Sequence, residues 1–455
     1  MFFCLLGEKI GIKHNQIFIC QGKTKHVKLK SYELELLKQI SIHRIMHAKS
    51  IHHFIQEMTP NPLHSNGISN RLKLLVDEEI LSRQFLDVSV TRAPARRYYY
   101  MLGRKGFRML VNSGYFLYDR ESVATYRKSR DSEIPSIHTD AMSILANKIF
   151  LACQEDSGRE TLQHFRGADA CIPIWHGEDQ RFGMEGNHIP DWVFTNDEQY
   201  ICIEMDTGSQ SLKMITKKVE YYNQLNQRRF NKDSDYKLIL VFAVLDDSID
   251  VVKSFKKENR SKRIGSLKAH IANLSLDFSE IYVVSAKRAH LLIKSFTAVT
   301  QTLAEGEENQ DLSLLIQTTL SQNTKYSISE KTLPTTMNNT MIQTWALSTI
   351  EIQMRKFSQS IFLVMMREGH IETWRRMNNA MNYARDWNKH FHNNELVIIS
   401  CYENEEAAIH DVIGLELDAK LYKTSMQAWE EANEKKQHMP RMIQMGGPYR
   451  QGWNF

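Results

Sequence analysis

Three carboxylates lie in or beside two stretches that otherwise have the composition of buried strands. Asp191 follows Pro190 at the start of "DWVFT", and Glu204 and Asp206 lie near the end of "YICIEMD". Because successive side chains of a strand point to opposite faces, Glu204 and Asp206 share one face. Carboxylates held together repel each other and resist ionisation unless a cation neutralises them. The spacing therefore predicts a site for a cation.

A divalent cation suits this site, because Mg²⁺ takes oxygen ligands and often binds through only one or two carboxylates. Such a cation would activate a water molecule and stabilise charge on a phosphate. We therefore expect Asp191, Glu204 and Asp206 to be metal ligands and catalytic residues. A lysine of the following helix would complete the site, with Lys213, Lys217 and Lys218 as candidates and Lys218 as our choice.

The histidines near these carboxylates do not have the H-x₃₋₅-H spacing that is typical of zinc sites. We expect His188 to lie near the site, and His138, His164 and His176 to be structural or surface residues. Asp140, on the preceding helix, is a weaker candidate for an additional carboxylate.

Strands and helices alternate around the carboxylates. Apolar runs predict strands in "DWVFT", "YICIEMD", "KLILVFAVL" and "EIYVVSA", and helical periodicity predicts helices over 137–155 and "SLKMITKKVEYYNQL". This order predicts a mixed α/β sheet covered by helices.

The N-terminal quarter has a different pattern. Apolar residues at helical spacing predict a first helix that runs on through Ile45 and Met46, a second in "IHHFIQEM" and a third in "SNGISNRLKLLVDEEIL". Two predicted strands, "QFLDVSV" and "RYYYML", follow around the basic turn "TRAPAR", and "GRKGFRMLV" starts a last helix. Three short helices followed by a basic hairpin are the pattern of a winged helix-turn-helix, whose third helix enters a DNA major groove.

Charge in this quarter is strongly basic. Residues 21–130 hold 20 Lys or Arg against 9 Asp or Glu, a balance of +11 in a chain whose total is +5. A basic module indicates a polyanionic partner, and double-stranded DNA is the expected one. A protein-binding module is the alternative. The candidate DNA-binding residues are Asn70, Arg71 and Lys73 on the third helix and Arg92, Arg96 and Arg97 in the hairpin. We expect Tyr98, Tyr99 and Tyr100 to pack within their strand.

The middle of the chain resembles the PD-(D/E)XK restriction-endonuclease-like core, with "PD" at 190–191 and an E-x-K type element at 204–206. The chain departs from that pattern at Asp206, which stands where the family has lysine. Together with the N-terminal pattern, "PDWVF…YICIEMDTGSQSLKMITKKVEYY" resembles the replication-relaxation family of plasmids and mobile elements. That resemblance covers roughly residues 31–295 and implies a K-x-x-x-Y element at Lys218 and Tyr222, with a role in replication initiation or DNA relaxation.

The pattern of the middle region repeats near the C-terminus. "FLVMMREGHIETWRRMNNAMNYARDWN" aligns without a gap to "ICIEMDTGSQSLKMITKKVEYYNQLN", so that Gly369 matches Gly208 and Tyr383 matches Tyr222. In this alignment Met365, Arg367 and Asn379 replace Glu204, Asp206 and Lys218. We therefore predict a second, degenerate copy of the nuclease-like fold that has lost its site. Chance similarity between two strand–helix–strand units is the alternative.

These observations predict an α+β multidomain protein. The expected divisions are an N-terminal extension (1–30), a winged helix-turn-helix (31–130), a nuclease-like domain (131–300), a polar linker (301–345) and the degenerate copy (346–455). The six cysteines form no C-x-x-C pair, and no apolar run is long enough to span a membrane. We expect a cytoplasmic protein without a signal peptide and without a membrane partner.

Two classes of function remain open. The first is a DNA-binding replication-initiation or DNA-relaxation factor of a plasmid or mobile element with Mg²⁺-dependent endonuclease activity. The second is a non-catalytic DNA-binding regulator or assembly adaptor that keeps a relic nuclease fold. Further candidate partners are other replication or mobilisation proteins and a second copy of the chain.

Overall fold

The computed structural model describes residues 18–21, 26–59, 63–88, 95–116, 136–154, 162–167, 189–196, 199–229, 237–249, 260–297, 357–391, 394–414, 420–437 and 440–445. Shorter described pieces lie at 123–124, 126–127, 314–316, 318–319, 321, 327–330, 336–337, 340–341 and 349–354. We divide the described residues into an N-terminal unit (18–116), a middle unit (136–297) and a C-terminal unit (327–445).

The N-terminal unit consists of helices packed on a small antiparallel sheet. Its elements are β1 (Phe18–Gln21), β2 (His26–Leu29), α1 (Ser31–His43), β3 (Ile45–His47), α2 (Ala48–Met58), α3 (Ser65–Asp77), β4 (Leu81–Val88), β5 (Ala95–Leu102) and α4 (Arg104–Asn112). Strands β1 and β2 pair with each other, and the sheet of the unit has the order β3-β5-β4. Tyr99 and Tyr100 are buried, as their predicted strand packing requires.

Helix α1 ends earlier than the apolar spacing predicts. Arg44 takes a left-handed conformation with φ +63°, which stops the helix. Ile45 and Met46 then form β3, which pairs antiparallel with β5. The sequence prediction of helix through these two residues was wrong, because a short apolar run suits a buried strand as well as a buried helix.

The middle unit is a mixed five-stranded sheet with helices on both faces, as predicted. Its elements are α5 (Ile137–Gln154), β6 (Gln163–Arg166), β7 (Trp192–Thr195), β8 (Gln199–Asp206), α6 (Leu212–Arg229), β9 (Lys237–Val244), α7 (Arg260–Ala272), β10 (Ile281–Ser285) and α8 (Ala286–Thr297). The strand order is β10-β9-β8-β7-β6. Strand β7 pairs antiparallel with both β6 and β8, and strand β9 pairs parallel with both β8 and β10. Helices α5 and α8 cover one face, and α6 and α7 cover the other.

The C-terminal unit contains a six-stranded sheet. Its elements are β11 (Ser327–Glu330), β12 (Thr336–Met337), β13 (Thr340–Met341), β14 (Thr349–Met354), β15 (Phe357–Met366), α9 (Ile371–His390), β16 (Asn394–Tyr402), α10 (Glu405–His410), β17 (Leu421–Ser425), α11 (Met426–Glu434) and β18 (Ile443–Met445). The sheet order is β11-β14-β15-β16-β17-β18, while β12 and β13 pair separately. Strand β11 lies within the stretch predicted as linker.

The first five strands of this sheet repeat the topology of the middle unit. In both sheets two antiparallel pairings are followed by two parallel pairings, so β11, β14, β15, β16 and β17 correspond to β6, β7, β8, β9 and β10. Helix α9 connects β15 to β16 as α6 connects β8 to β9. The aligned glycines Gly208 and Gly369 both have positive φ, at +85° and +75°. The aligned Tyr222 and Tyr383 are both fully buried.

The gapless alignment is wrong along strand β15 by one residue. Glu204 faces α6, but Met365, its aligned partner, packs on the face away from α9. Val364 and Met366 face α9 instead. Because side chains alternate, a shift of one residue moves every side chain to the other face. Apolar residues therefore occupy the helix-facing positions of β15 that carboxylates occupy on β8.

The middle and C-terminal units share one apolar core. Side chains of α6 and α7 form a continuous cluster with those of β15, α9 and β16. Buried polar contacts cross the same boundary: Lys268 Nζ on α7 lies 2.6 Å from Asp411 Oδ1, and Arg288 on α8 donates two hydrogen bonds of 2.8 Å to Glu368. The two units are therefore packed as one body.

The N-terminal unit is attached to α5 of the middle unit. Phe150 and Leu151 of α5 belong to the apolar core of the N-terminal unit. Tyr99 donates a hydrogen bond of 3.1 Å to the buried Asp140 carboxylate. Asp140 is thus a contact with the N-terminal unit. Further hydrogen bonds join His43 to Ser143, Asn147 to Ser50 and His164 to Gln39.

Candidate functional site

Strand β8 buries two carboxylates against the α6 side of the sheet. Glu204 and Asp206 each expose only 1% of the side chain. Their face is set by the alternation of the strand, which places Cys202 in the core on the same side and Ile203 and Met205 in the core on the other side. The predicted common face of Glu204 and Asp206 is thus observed.

Glu204 is held by two residues of helix α6. Lys218 Nζ lies 2.7 Å from Oε2, and the Tyr222 hydroxyl donates a hydrogen bond of 2.7 Å to Oε1. Lys218 and Tyr222 are four residues apart, so one helical face presents both groups to the strand. Burial, with the neighbouring Glu204, raises the pKa of Tyr222 well above its usual range. The hydroxyl therefore remains a hydrogen-bond donor at neutral pH.

Asp206 is held by a cation from a different helix. Arg263 on α7 donates to Oδ2 at 2.7 Å and to Oδ1 at 3.2 Å. The same guanidinium donates to the Gln210 carbonyl at 2.8 Å, and Gly208 N donates to Asp206 Oδ1 at 3.0 Å. These contacts tie the first turn of α7 to the end of β8.

Asp191 lies at the start of β7 beside the backbone of β8. Its Oδ2 accepts a hydrogen bond of 2.8 Å from Met205 N and lies 3.1 Å from His138 Nε2. His138 Nε2 also lies 3.0 Å from the Met205 carbonyl. The hydrogen bond to Asp191 raises the pKa of His138. With side chains 21% and 32% exposed, Asp191 and His138 are the more accessible part of the site.

The structure brings together most of the predicted residues. Asp191 and His138 contact the backbone of β8 at Met205, between Glu204 and Asp206, and Lys218 contacts Glu204. Sequence reasoning missed Arg263 as a partner of Asp206 and placed His138 among the structural or surface residues. An N-terminal position on a helix that packs against β8 was the available signal for His138. His188 lies outside the described residues.

The carboxylates of β8 already have cationic partners. Both oxygens of Glu204 accept from Lys218 and Tyr222, and both oxygens of Asp206 accept from Arg263. Within the described part of the chain, no group of three or more His, Cys, Asp or Glu side chains has an arrangement that could hold a metal ion. The residues as arranged do not fit a divalent cation, which would have to displace Lys218 or Arg263.

The candidate DNA-binding residues differ in their surroundings. Asn70 and Lys73 are exposed on α3. Arg71 instead donates to Glu33 at 2.6 and 2.8 Å and to the Lys28 carbonyl at 2.7 Å, so it joins α3 to α1. Arg97 is half-buried on β5 next to Tyr99. Arg92 lies outside the described residues, as does the side chain of Arg96.

Comparison with protein families gives one match. The replication-relaxation family model matches residues 37–239, from helix α1 into strand β9. This part of the chain is similar to the replication-relaxation family, as the sequence resemblance predicted. No curated protein and no solved structure gives a match. No described helix is both long and apolar enough to cross a membrane.

Proposed function

We propose that the chain is a DNA-binding replication-initiation or DNA-relaxation factor of a plasmid or mobile element. The match of residues 37–239 to the replication-relaxation family model supports a role related to replication or relaxation. The arrangement of the N-terminal unit supports DNA as the ligand. Its three helices precede a two-stranded hairpin, and β3 joins the hairpin as a third strand, which is the order expected of a winged helix-turn-helix.

The observation that carries this proposal is the exposed face of α3. Ile68, Leu72 and Leu75 anchor the helix in the core, and the opposite face presents Asn66, Ser69, Asn70 and Lys73. Asparagine can bind adenine edges in a major groove, and lysine can bind guanine edges or phosphates. Arg71 supports this face by holding α3 on α1 rather than by contacting DNA.

Fluorescence anisotropy with labelled duplex DNA at several salt concentrations tests the proposal. Wild-type binding should weaken with salt, with log K falling by about 0.9 per log unit of salt for each phosphate contact. Lys73→Gln and Asn70→Ala should each weaken binding, whereas Lys435→Gln, in an exposed ion pair on the C-terminal unit, should not. Binding that does not change with salt or with the α3 variants would contradict a DNA-binding role.

The non-catalytic alternative is a DNA-binding regulator or assembly adaptor with a relic nuclease fold. The ion pairs of Glu204 and Asp206 favour it, because both carboxylates are already neutralised by protein cations. The Mg²⁺-dependent nicking predicted from the sequence stays a prediction.

A supercoiled plasmid incubated with Mg²⁺ or Mn²⁺ distinguishes the two forms of the proposal. Wild type is compared with the double variant Glu204→Gln, Asp206→Asn, which keeps the size of both buried side chains. Nicking by wild type alone would establish the nuclease. Bound DNA that neither protein nicks would establish the regulator.

A further inference from the structure

A basic surface borders the carboxylate site on the side of helices α6 and α7. Lys213 and Lys217 are exposed on α6, and Lys262 is exposed in the first turn of α7. Lys213 and Lys217 are four residues apart and therefore lie on the same face of α6. We call these three residues the α6–α7 basic edge.

Two contacts hold the helices of this edge side by side. Arg263 bridges Asp206 at the end of β8 and the Gln210 carbonyl before α6. Further along the two helices, Thr216 Oγ1 lies 2.7 Å from His270 Nε2. The start of α7 consequently lies next to the start of α6.

Within the described residues of α6 and α7, and of the turn that precedes α6, the charge is almost entirely positive. Residues 207–229 contain one acidic residue, Glu220, and residues 260–272 contain none. The nearby Asp206 is buried and neutralised by Arg263. Helix N-termini carry a partial positive charge, and neither α6 nor α7 has an acidic residue in its first turn to offset it.

We propose that the α6–α7 basic edge is a second contact for the phosphodiester backbone of DNA, separate from helix α3. This inference rests on the proposed DNA-binding function. Lysines on a flexible stem suit phosphates, which they neutralise without reading sequence. Lys217 lies on the solvent side of α6, and the buried Lys218 next to it binds Glu204, so a backbone held on this edge crosses the outer face of the helix that covers the carboxylate site. The N-terminal unit is joined to the same middle unit through Asp140, so helix α3 and the α6–α7 basic edge belong to one connected body.

The test measures the salt dependence of DNA binding by the full chain. The triple variant Lys213→Gln, Lys217→Gln, Lys262→Gln is compared with wild type on a duplex of random sequence. Loss of three phosphate contacts should make the slope of log K against log salt shallower by up to about 2.7. Because the three lysines are exposed on helix surfaces, the thermal unfolding midpoint should remain that of wild type.

A control triple variant separates local contact from total charge. Lys389, Lys420 and Lys435 are exposed on the C-terminal unit, and their replacement by glutamine removes the same three charges. Its slope should equal that of wild type. The second contact is overturned if the triple variant of the α6–α7 basic edge has the same slope as this control. The proposed function still stands in that case, provided that Lys73→Gln weakens DNA binding. If wild type shows no salt-dependent binding, both fail.

Discussion

At the scale of residues, Lys218 and Arg263 form ion pairs with Glu204 and Asp206, the two buried carboxylates of β8. Removing one member of such a pair leaves the other charge buried without compensation, which costs more than the pair itself contributes. The two pairs therefore make the end of β8 sensitive to single substitutions.

Lys218→Met should lower the free energy of unfolding by about 3–5 kcal/mol, because the buried Glu204 carboxylate then loses its cationic partner and keeps the hydrogen bond from Tyr222. The double variant Lys218→Met, Glu204→Gln should recover most of this loss, because no buried charge remains. Urea unfolding of both proteins measures the difference. As a control, Lys435→Met breaks an exposed ion pair with Glu431 and should change stability by no more than about 0.5 kcal/mol. Equal losses in the single and double variants would contradict the argument.

The sequence predicts contacts of the site between residues that are close along the chain and misses those between distant residues. The common face of Glu204 and Asp206 and the approach of Lys218 follow from the strand and helix periods of neighbouring elements. Arg263 lies 57 residues from Asp206, and only the packing of α7 against α6 brings it there. No local pattern identifies such a partner.

At the scale of elements, the predicted strand β15 shows a further limit of sequence reasoning. The alignment with β8 recovers the glycine and the tyrosine that follow, but it places Met365 on the wrong face. The side chains of a strand alternate with a period of two. One extra residue before Gly369 therefore moves each aligned side chain of β15 to the other face of the sheet, and a gapless alignment cannot detect that extra residue. Fold topology is less sensitive to such a shift than the identity of the side chains that face a helix.

The contact between α1, α5 and β6 should be weakened by acid. Burial lowers the pKa of His164 to about 3 and the pKa of His43 well below 6.5. The folded protein thus keeps both rings neutral, while the unfolded chain binds protons near pH 6.5. Stability should be complete above pH 6.5 and decline as the pH falls from 6.5 towards 3.

Thermal unfolding between about pH 4 and pH 7 measures this effect, since the two histidines titrate over that range in the unfolded chain. The variant His43→Leu should show a shallower dependence on pH than wild type. The exposed His53, which lies 3.6 Å from Glu57, provides the control, and His53→Leu should keep the wild-type profile. Identical profiles for all three proteins would rule out the buried histidines as the cause.

Helix α7 meets the C-terminal unit at two glycines. A Cβ on Gly265 would lie 2.7 Å from the Gly414 Cα, closer than atoms can approach. Gly265→Ala should therefore destabilise the protein by about 1–3 kcal/mol. Gly67→Ala on α3 has nothing within 4 Å of its Cβ and should be neutral or stabilising by up to about 1 kcal/mol. Urea unfolding compares the two variants, and equal stability would argue against close packing of α7 on the backbone at Gly414.

At the scale of the whole molecule, the shared core makes the C-terminal unit a structural part of the middle unit. A chain that ends near residue 305 would expose the apolar surface of α6 and α7 that β15 and α9 cover. We expect this shortened protein to bind a hydrophobic dye, to unfold at a lower temperature and to aggregate. A soluble fragment with the wild-type midpoint would contradict the shared core.

The attachment of the N-terminal unit to α5 sets a distance. The hydrogen bond from Tyr99 to Asp140 and the packing of Phe150 fix helix α3 relative to the end of β8. On the proposed function, DNA held by α3 would lie at a fixed position relative to the middle unit, a constant number of base pairs from the sequence that α3 binds. Adding half a helical turn, about five base pairs, would turn the opposite side of the duplex towards the middle unit.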